Sequence, residues 1–360
     1  MKIIFRSKRY HYLAKASIFL VVVALIAGMV GCNDGYNPPP SQNLEISTWY
    51  DLDEVRNNLA GNHTLMNDLD SFTAGYEELA SPTANGGKGW QPIGHYDLGG
   101  FVGTFDGQGY KTINLFINRP DEDYVGLFGV ASDHWGRTKC EGLIKNIGVV
   151  NAAVTGNAYV GALVGYNDGT VSNSYSTGNV TGPYIIGGLG GQNGGTMSNC
   201  YSSGNVTGCS GTSGNVTGGS KIGGLVGENY GEVNVLSNSY SSAGVSGYSR
   251  VGGLVGYNAF ATVSKCYSTG NVTGGIESGG LVGWSYLGDV YLSFWDIETS
   301  GHTTSYGGME EGKTTAQMKS IATFSGATWN IAAVALNETN PAYIWNIVDD
   351  VTYPFLSWQS

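Results

Sequence analysis

The chain has 360 residues, including 58 glycines and 9 prolines, and its 28 acidic and 17 basic side chains leave a net charge of −11. Only 12% of residues are charged, against roughly 25% in ordinary soluble domains, which argues against a helical bundle and its heavily charged wet faces. The 41% of apolar residues can build a core, and the whole composition suits many short strands joined by tight turns.

The first 31 residues hold five bases (Lys2, Arg6, Lys8, Arg9, Lys15) and no acid. The apolar run Ile18 to Val30 follows, 13 residues that reach roughly 20 Å as helix, short of a bilayer core of roughly 30 Å. That length suits a signal-peptide core. The run ends in Met29-Val30-Gly31-Cys32, which resembles a bacterial lipobox, with Cys32 as the lipidated first residue of the mature protein and its link to the membrane. An ordinary cleaved signal and an uncleaved anchor are the alternatives. Asn33 to Gln42, with Pro38, Pro39 and Pro40, has no hydrophobic pattern and reads as an extended tether. Loss of residues 1–31 leaves 12 bases and 28 acids, a charge of −16. Such a field repels nucleic acid and anionic lipid and gives no reason to expect either as a partner.

Next comes an N-terminal helix signal. Thr48 with Asp51 fits a capping box, and Trp49, Leu52, Val55 and Leu59 mark one helix face closed by Gly61. Beyond it the chain repeats. A glycine-flanked pentapeptide closes at Gly129, Gly165, Gly191, Gly227, Gly256 and Gly283, with steps of 36, 26, 36, 29 and 27. The second step of 36 contains an insertion, Cys209 to Gly218, and the first holds another around His134 to Cys140. An aromatic column (Tyr175, Tyr201, Tyr240, Tyr267, Phe294) keeps the same phase, as does Gly-Asn-Val-Thr-Gly, closing at Gly182, Gly208, Gly218 and Gly274.

These in-phase columns resemble the GLUG-motif repeat family over roughly residues 47–360. Gly103 to Tyr110 looks like that family's opening turn, and Val351 to Leu356 like its ending. The resemblance implies a surface or secreted protein of the haemagglutinin/adhesin-like kind. Some members carry a metallopeptidase domain, but this chain has no His-Glu-x-x-His to support that activity.

A period near 26 suits one coil of a β-solenoid, two or three short strands per coil, stacked so that each buries its neighbour's apolar face. The expected fold is all-β, a right-handed parallel β-helix with small α-helical or loop caps at both ends. In Asn-Val-Thr the Val faces inward and Asn and Thr outward. The stretch Val251-Gly252-Gly253-Leu254-Val255 breaks this alternation: either that strand is buried on both faces or its glycines bend it. Thr314 with Gln317 predicts a short helix near Ala316 to Thr323. Trp329, Trp345 and Trp358 are then expected to cover the last coil as cap core. The domain reading is signal 1–31, lipidated Cys and tether 32–46, N-terminal cap and first coils 47–120, repeat solenoid 121–301 and C-terminal cap 302–360.

Cys200 and Cys266 each precede a column aromatic where other coils carry Ser174, Ser239 and Ser293. Two coils apart, about 9.6 Å, they are too distant for a disulfide. Cys140 and Cys209 lie in insertions, and nothing in the sequence pairs them. No zinc-type Cys pair, calcium-loop spacing or cofactor motif is present, so no metal or cofactor is expected. Residues 158–274 hold only Asp168, Glu228 and Glu232 as acids and no His, so no catalytic residue is assigned.

The expected function is therefore non-enzymatic: a lipid-anchored cell-surface protein in adhesion or envelope structure, meeting a glycan or surface protein. The candidate ligand face comprises Tyr175, Tyr201, Tyr240 and Tyr267 with the outward pairs Asn179/Thr181, Asn205/Thr207 and Asn271/Thr273, since aromatic, amide and hydroxyl groups suit sugars. These tripeptides, with Asn215/Thr217, are also glycosylation sequons. A polysaccharide-active enzyme is the alternative, and it needs Asp106, Asp123 and Asp168 in one groove. A flat threonine ladder also resembles an ice-binding surface, although Gly244-Val245-Ser246 interrupts it.

Overall fold

A computed structural model describes residues 43–132, 141–209 and 219–359. The leader, Cys32, the prolines of the tether, Cys140, Asn215 and Thr217 lie outside the described residues.

The molecule is a parallel β-solenoid with a small mixed three-stranded sheet at its C-terminus, one pairing parallel and one antiparallel. Six strands, Phe128–Ala131, Val164–Asn167, Gly190–Asn193, Val226–Tyr230, Val255–Ala259 and Val282–Tyr286, stack in parallel as one sheet, one strand per coil. Their registers, Val164 on Phe128, Gly190 on Val164, Val226 on Gly190, Val255 on Val226 and Val282 on Val255, follow the pentapeptide spacing. The step from Gly190 to Val226 keeps its register because the ten additional residues fall between the strands Tyr201–Gly208 and Ser220–Gly223. The remaining coil segments join a second, 22-stranded sheet. A coil has four strand segments, as in Val164–Asn167, Thr170–Ser172, Tyr175–Gly182 and Tyr184–Gly187. That exceeds the two or three expected, because glycine and left-handed residues place more corners per turn than the hydrophobic period reveals.

The pentapeptide is one of these corners. The strand Gly244–Gly252 stops, Gly253 and Leu254 bend, and Val255–Ala259 begins. The bend turns Val251, Leu254 and Val255 into the same core, each with no exposed surface. The glycines therefore bend the strand. Gly253 is required because a Cβ there would sit 2.2 Å from the Gly280 carbonyl of the next coil.

Buried polar side chains line the corners. Asn167, Asn193, Asn229 and Asn258, all fully buried, form an amide ladder in which each Nδ2 donates to the next Oδ1 at 2.8, 2.8 and 2.9 Å. Ser174, Cys200, Ser239, Cys266 and Ser293 form a second internal column. Cys200 and Cys266 are free thiols whose Sγ donate to the Ser198 and Ser264 carbonyls at 3.1 and 3.2 Å.

Both capping boxes are formed. Thr48 and Asp51 close the helix Trp49–Glu54, which continues as one 3₁₀ turn, Val55–Asn57. Trp49, Leu52 and Val55 are buried and Leu59 partly so. The helix ends well before Gly61, after the chain has tightened to 3₁₀ geometry. The strand Leu44–Ile46 already pairs with Asn62–Leu65, so the sheet begins inside the segment assigned to the tether. At the other end Gly308–Lys313 adds one further parallel strand to Asp289–Asp296, carrying the sheet past residue 301. Thr314 and Gln317 cap the helix Thr315–Met318, and a separate helix, Ile321–Gly326, follows where a single one was expected.

The tail then forms a three-stranded sheet, Ile331–Ala333, Trp345–Ile347 and Phe355–Leu356. It does cover the last coil, with the Trp329 ring packed at a tilt against Phe294, centroids 6.0 Å apart. It also runs back along the flank of the solenoid over several earlier coils, as the site below shows.

Candidate functional site

The strand Tyr175–Gly182 pairs in register with Tyr201–Gly208, and the column continues through Tyr240, Tyr267 and Phe294. Alternation puts Ser176 and Val180 inside, with Tyr175 and Asn179 on the outer face. All ten residues of the expected ligand face therefore lie on one outer sheet surface, the tyrosines along one margin.

The four tyrosine rings stack with centroids 4.7, 5.0 and 4.9 Å apart and planes within 9°. This rail is not the open platform expected. Tyr267 is 2% exposed, and Tyr240 and Tyr201 are half-buried. The tail covers them: Trp345 packs on Tyr240 and Tyr267 at 6.1 and 5.7 Å, and Trp358 on Tyr201 and Tyr175 at 5.8 and 6.1 Å. The Tyr267 hydroxyl donates to the Pro354 carbonyl at 2.5 Å, and Gln359 Nε2 donates to the Tyr240 hydroxyl at 2.8 Å. A row of stacked rings is apolar on its flank, and the tail's tryptophans supply the apolar surface that shields it from water.

The cover stops at the early end of the rail. There Tyr175, Tyr201 and Trp358 wall a cavity of about 600 Å³. Its floor is polar. Asn146 and Asn173, at the corner two residues before the rail, take left-handed backbones with φ of 55° and 47°, which asparagine tolerates better than most side chains. Asn173 Nδ2 donates to Asn146 Oδ1 at 3.1 Å and Asn146 Nδ2 to Asp106 Oδ1 at 2.9 Å. Gly148 lies under the Tyr175 ring, where a Cβ would come within 2.5 Å of it. Gln108, Lys111 and Gln359 complete the rim.

Burial pulls the Asp106 carboxyl upward, but hydrogen bonds from Asn146 and the Gln108 N–H, with Lys145 Nζ at 3.0 Å, outweigh it and hold Asp106 below the ordinary carboxylate range. Asp106 is thus an ion-paired acceptor. Burial, reinforced by Tyr201 and Asp68, pushes the Tyr175 hydroxyl up to about 12, so it stays a neutral donor. Stacked aromatic walls, amides and an ionised carboxylate form a surface able to pack a sugar ring and bind its hydroxyls. Sequence reasoning found Tyr175 and Tyr201 but missed Asp106, Asn146, Asn173 and Trp358 as their companions. The repeated Asn-(Ser/Cys)-Tyr corner was the available signal.

The Asn/Thr columns remain open. Asn179, Asn205, Thr207, Asn271 and Thr273 are exposed and Thr181 is half-buried. Asn205 Nδ2 donates to Asn179 Oδ1 at 3.0 Å. In the intervening coil Gly244 and Ser246 stand opposite Asn205 and Thr207, which interrupts both columns. Of the carboxylates the enzymatic alternative requires, Asp106 lines this cavity, Asp123 lines another, and Asp168 lines neither. Among the described residues no group of three or more His, Cys, Asp or Glu could hold a metal ion, and no helix is long and apolar enough to cross a membrane.

Residues 156–181, 182–207 and 247–273 match the family described as the GLUG motif. A proposed Gly-rich membrane protein of Evansella cellulosilytica is 38% identical over 133 residues, 36% of this chain and 14% of its own length. Halomucin of Haloquadratum walsbyi is 33% identical over 148 residues, 40% of this chain and 2% of its own length. The chain therefore matches only a small part of either relative. A crystal structure of a proposed immunoglobulin A1 protease from Bacteroides ovatus superposes with a TM-score of 0.57 over 89% of this chain and 94% of its own, at 19% identity. At that identity the likeness concerns the fold alone.

Proposed function

From the premise that this chain is a GLUG-repeat solenoid, we propose that it is a non-enzymatic recognition protein of the cell envelope, tethered through a lipid on Cys32, that binds glycans in the Trp358 groove. The observation that carries this reading is the groove itself: two stacked tyrosines and a tryptophan facing Asp106, Asn146 and Asn173 in one open cavity. The exposed Asn/Thr columns extend the same face and offer amides and hydroxyls to a longer ligand. The matched membrane protein and halomucin support an envelope address. The separation of Asp106 from Asp123 supports binding over hydrolysis, which needs two carboxylates placed together.

The test is a broad glycan array probed with the Cys32→Ser protein lacking residues 1–31, with and without calcium. Selective binding supports the reading, and calcium dependence would add a cation to it. Absence of any glycan signal removes the groove's assigned role. Metabolic lipid labelling of the cells, lost in Cys32→Ser, tests the anchor separately.

A further inference from the structure

The Trp358 groove has its acceptors engaged and several of its donors free. Asp106, the carboxylate that lines it, accepts from Asn146 Nδ2 and the Gln108 N–H through Oδ1, each at 2.9 Å, and holds Lys145 Nζ at 3.0 Å through Oδ2. Gln359 is engaged at both ends of its amide: Nε2 donates to the Tyr240 hydroxyl at 2.8 Å and Oε1 accepts the Leu356 N–H at 2.6 Å. The floor asparagines form a ladder that runs one way. Asn199 Nδ2 donates to Asn173 Oδ1 at 3.2 Å, Asn173 Nδ2 to Asn146 Oδ1 at 3.1 Å, and the ladder ends on Asp106. An amide nitrogen carries two hydrogens, so Asn146 and Asn173 each keep one to offer.

The column that carries the tyrosine rail continues past the groove. Tyr175 pairs in register with Gly148, and Gly148 with Lys111. At about 4.8 Å per coil, Lys111 starts about 9.6 Å from Tyr175 along the column, and the glycine between them puts no side chain in the gap. One face of the Tyr175 ring stacks on Tyr201; no ring stands at Gly148 to cover the other. The Lys111 backbone N–H donates to Asp68 Oδ1 at 2.9 Å. Its ammonium, like the Tyr175 hydroxyl, has no partner among the described residues. Lys111 and Lys145 stand beside Asp106 and Asp68, so these four charges cancel.

We propose that the groove selects an N-acetylated hexosamine oligomer, whose acetamido carbonyl accepts from Lys111 Nζ and whose methyl rests on the Tyr175 ring. This rests on the glycan reading of the same groove and names the sugar class. An amide oxygen is a strong uncharged acceptor, which is what a free ammonium and phenol beside a saturated carboxylate call for. A hydroxyl in its place accepts less well and brings a donor that finds Asp106 already engaged. A free amine is protonated and meets Lys111, and a uronate meets the ionised Asp106.

Calorimetric titration of the full chain in mild detergent compares three β-linked tetramers that differ only at the second carbon: N-acetylglucosamine, glucose and glucosamine. The acetylated tetramer should bind at least about tenfold more tightly than the glucose tetramer, the worth of one hydrogen bond from a charged donor. The glucosamine tetramer, protonated at about pH 6, should bind no better than the glucose one. Lys111→Met keeps the length of the side chain and removes its donor. It should bring the acetylated tetramer down to the affinity of the glucose tetramer, with the latter changed less than about threefold and the unfolding midpoint unchanged. Equal binding of the acetylated and glucose tetramers overturns the acetamido assignment and leaves the groove a glycan site. Preference for the amine form, an acetyl preference that survives Lys111→Met, or binding of none of the three also overturns it, and the array ligand then decides separately whether the groove binds glycans.

Discussion

Asn193→Ala should be among the costliest polar substitutions in the protein. Its side chain receives Asn167 Nδ2 and donates to Asn229 Oδ1, both at 2.8 Å and both fully buried. Alanine orphans a donor on one side and an acceptor on the other. Each orphan costs about 1–3 kcal/mol, so the substitution should cost about 2–6 kcal/mol. At roughly 2 °C per kcal/mol for a chain of this size, the unfolding midpoint should fall by about 4–12 °C. Asn205→Ala is the matched control. It removes an amide–amide bond of similar length, 3.0 Å, on the exposed face, where water replaces it and the change should stay within about 0.5 kcal/mol. Thermal unfolding followed by far-ultraviolet circular dichroism reads both. Equal midpoints for the two variants, or an Asn193→Ala shift no larger than that of Asn205→Ala, would refute the reasoning that burial decides the worth of these ladders.

Trp345→Ala should destabilise by about 3–5 kcal/mol, because the ring is fully buried against Tyr240, Tyr267 and Trp329. Trp358→Ala, at the rim, should cost clearly less, and chemical denaturation of the two variants compares them. Cys200 and Cys266 are fully buried and burial pushes both thiols up to about 12, so a thiol reagent at neutral pH should label them only as fast as the protein opens; rapid labelling of the native chain contradicts this. Stability should fall at both ends of the pH range. Burial lowers the His63 imidazole, opposed by its hydrogen bond to the Asn58 carbonyl. The unfolded chain thus takes up a proton as pH falls past about 6.5 while the folded chain does not, and stability drops towards the lowered folded value. Burial raises Tyr175 and Tyr353 to about 12. Unfolded tyrosines ionise near pH 10, so stability is full below about pH 10 and drains away as pH rises towards 12; a pH series of denaturant midpoints checks both limbs.

Most of the architecture was legible because the repeat is a local device. A coil cannot change register without displacing every column, so the positions of Gly165, Gly191 and Gly227 carried the strand pairing directly. The caps at Thr48 and Thr314 were readable for the same reason, since a capping box lies within four residues. What sequence could not convey was contact between distant segments. Nothing near Trp358 indicates that it packs on Tyr175, and nothing near Tyr96 indicates that it stacks on Tyr124. The rail was therefore read as open when its own tail covers most of it. Asp106 and Asn173 looked like ordinary turn residues until stacking aligned them on one groove floor.

The glycan groove is tested most directly by titrating the strongest array ligand into the wild-type chain, Q108A/K111A at the groove rim, and N271A/T273A on the exposed columns. Binding in the groove predicts at least about a tenfold loss for Q108A/K111A, as expected when several polar partners of a sugar are removed, with a smaller loss for N271A/T273A. Undiminished binding by Q108A/K111A would place the ligand elsewhere and contradict the assignment.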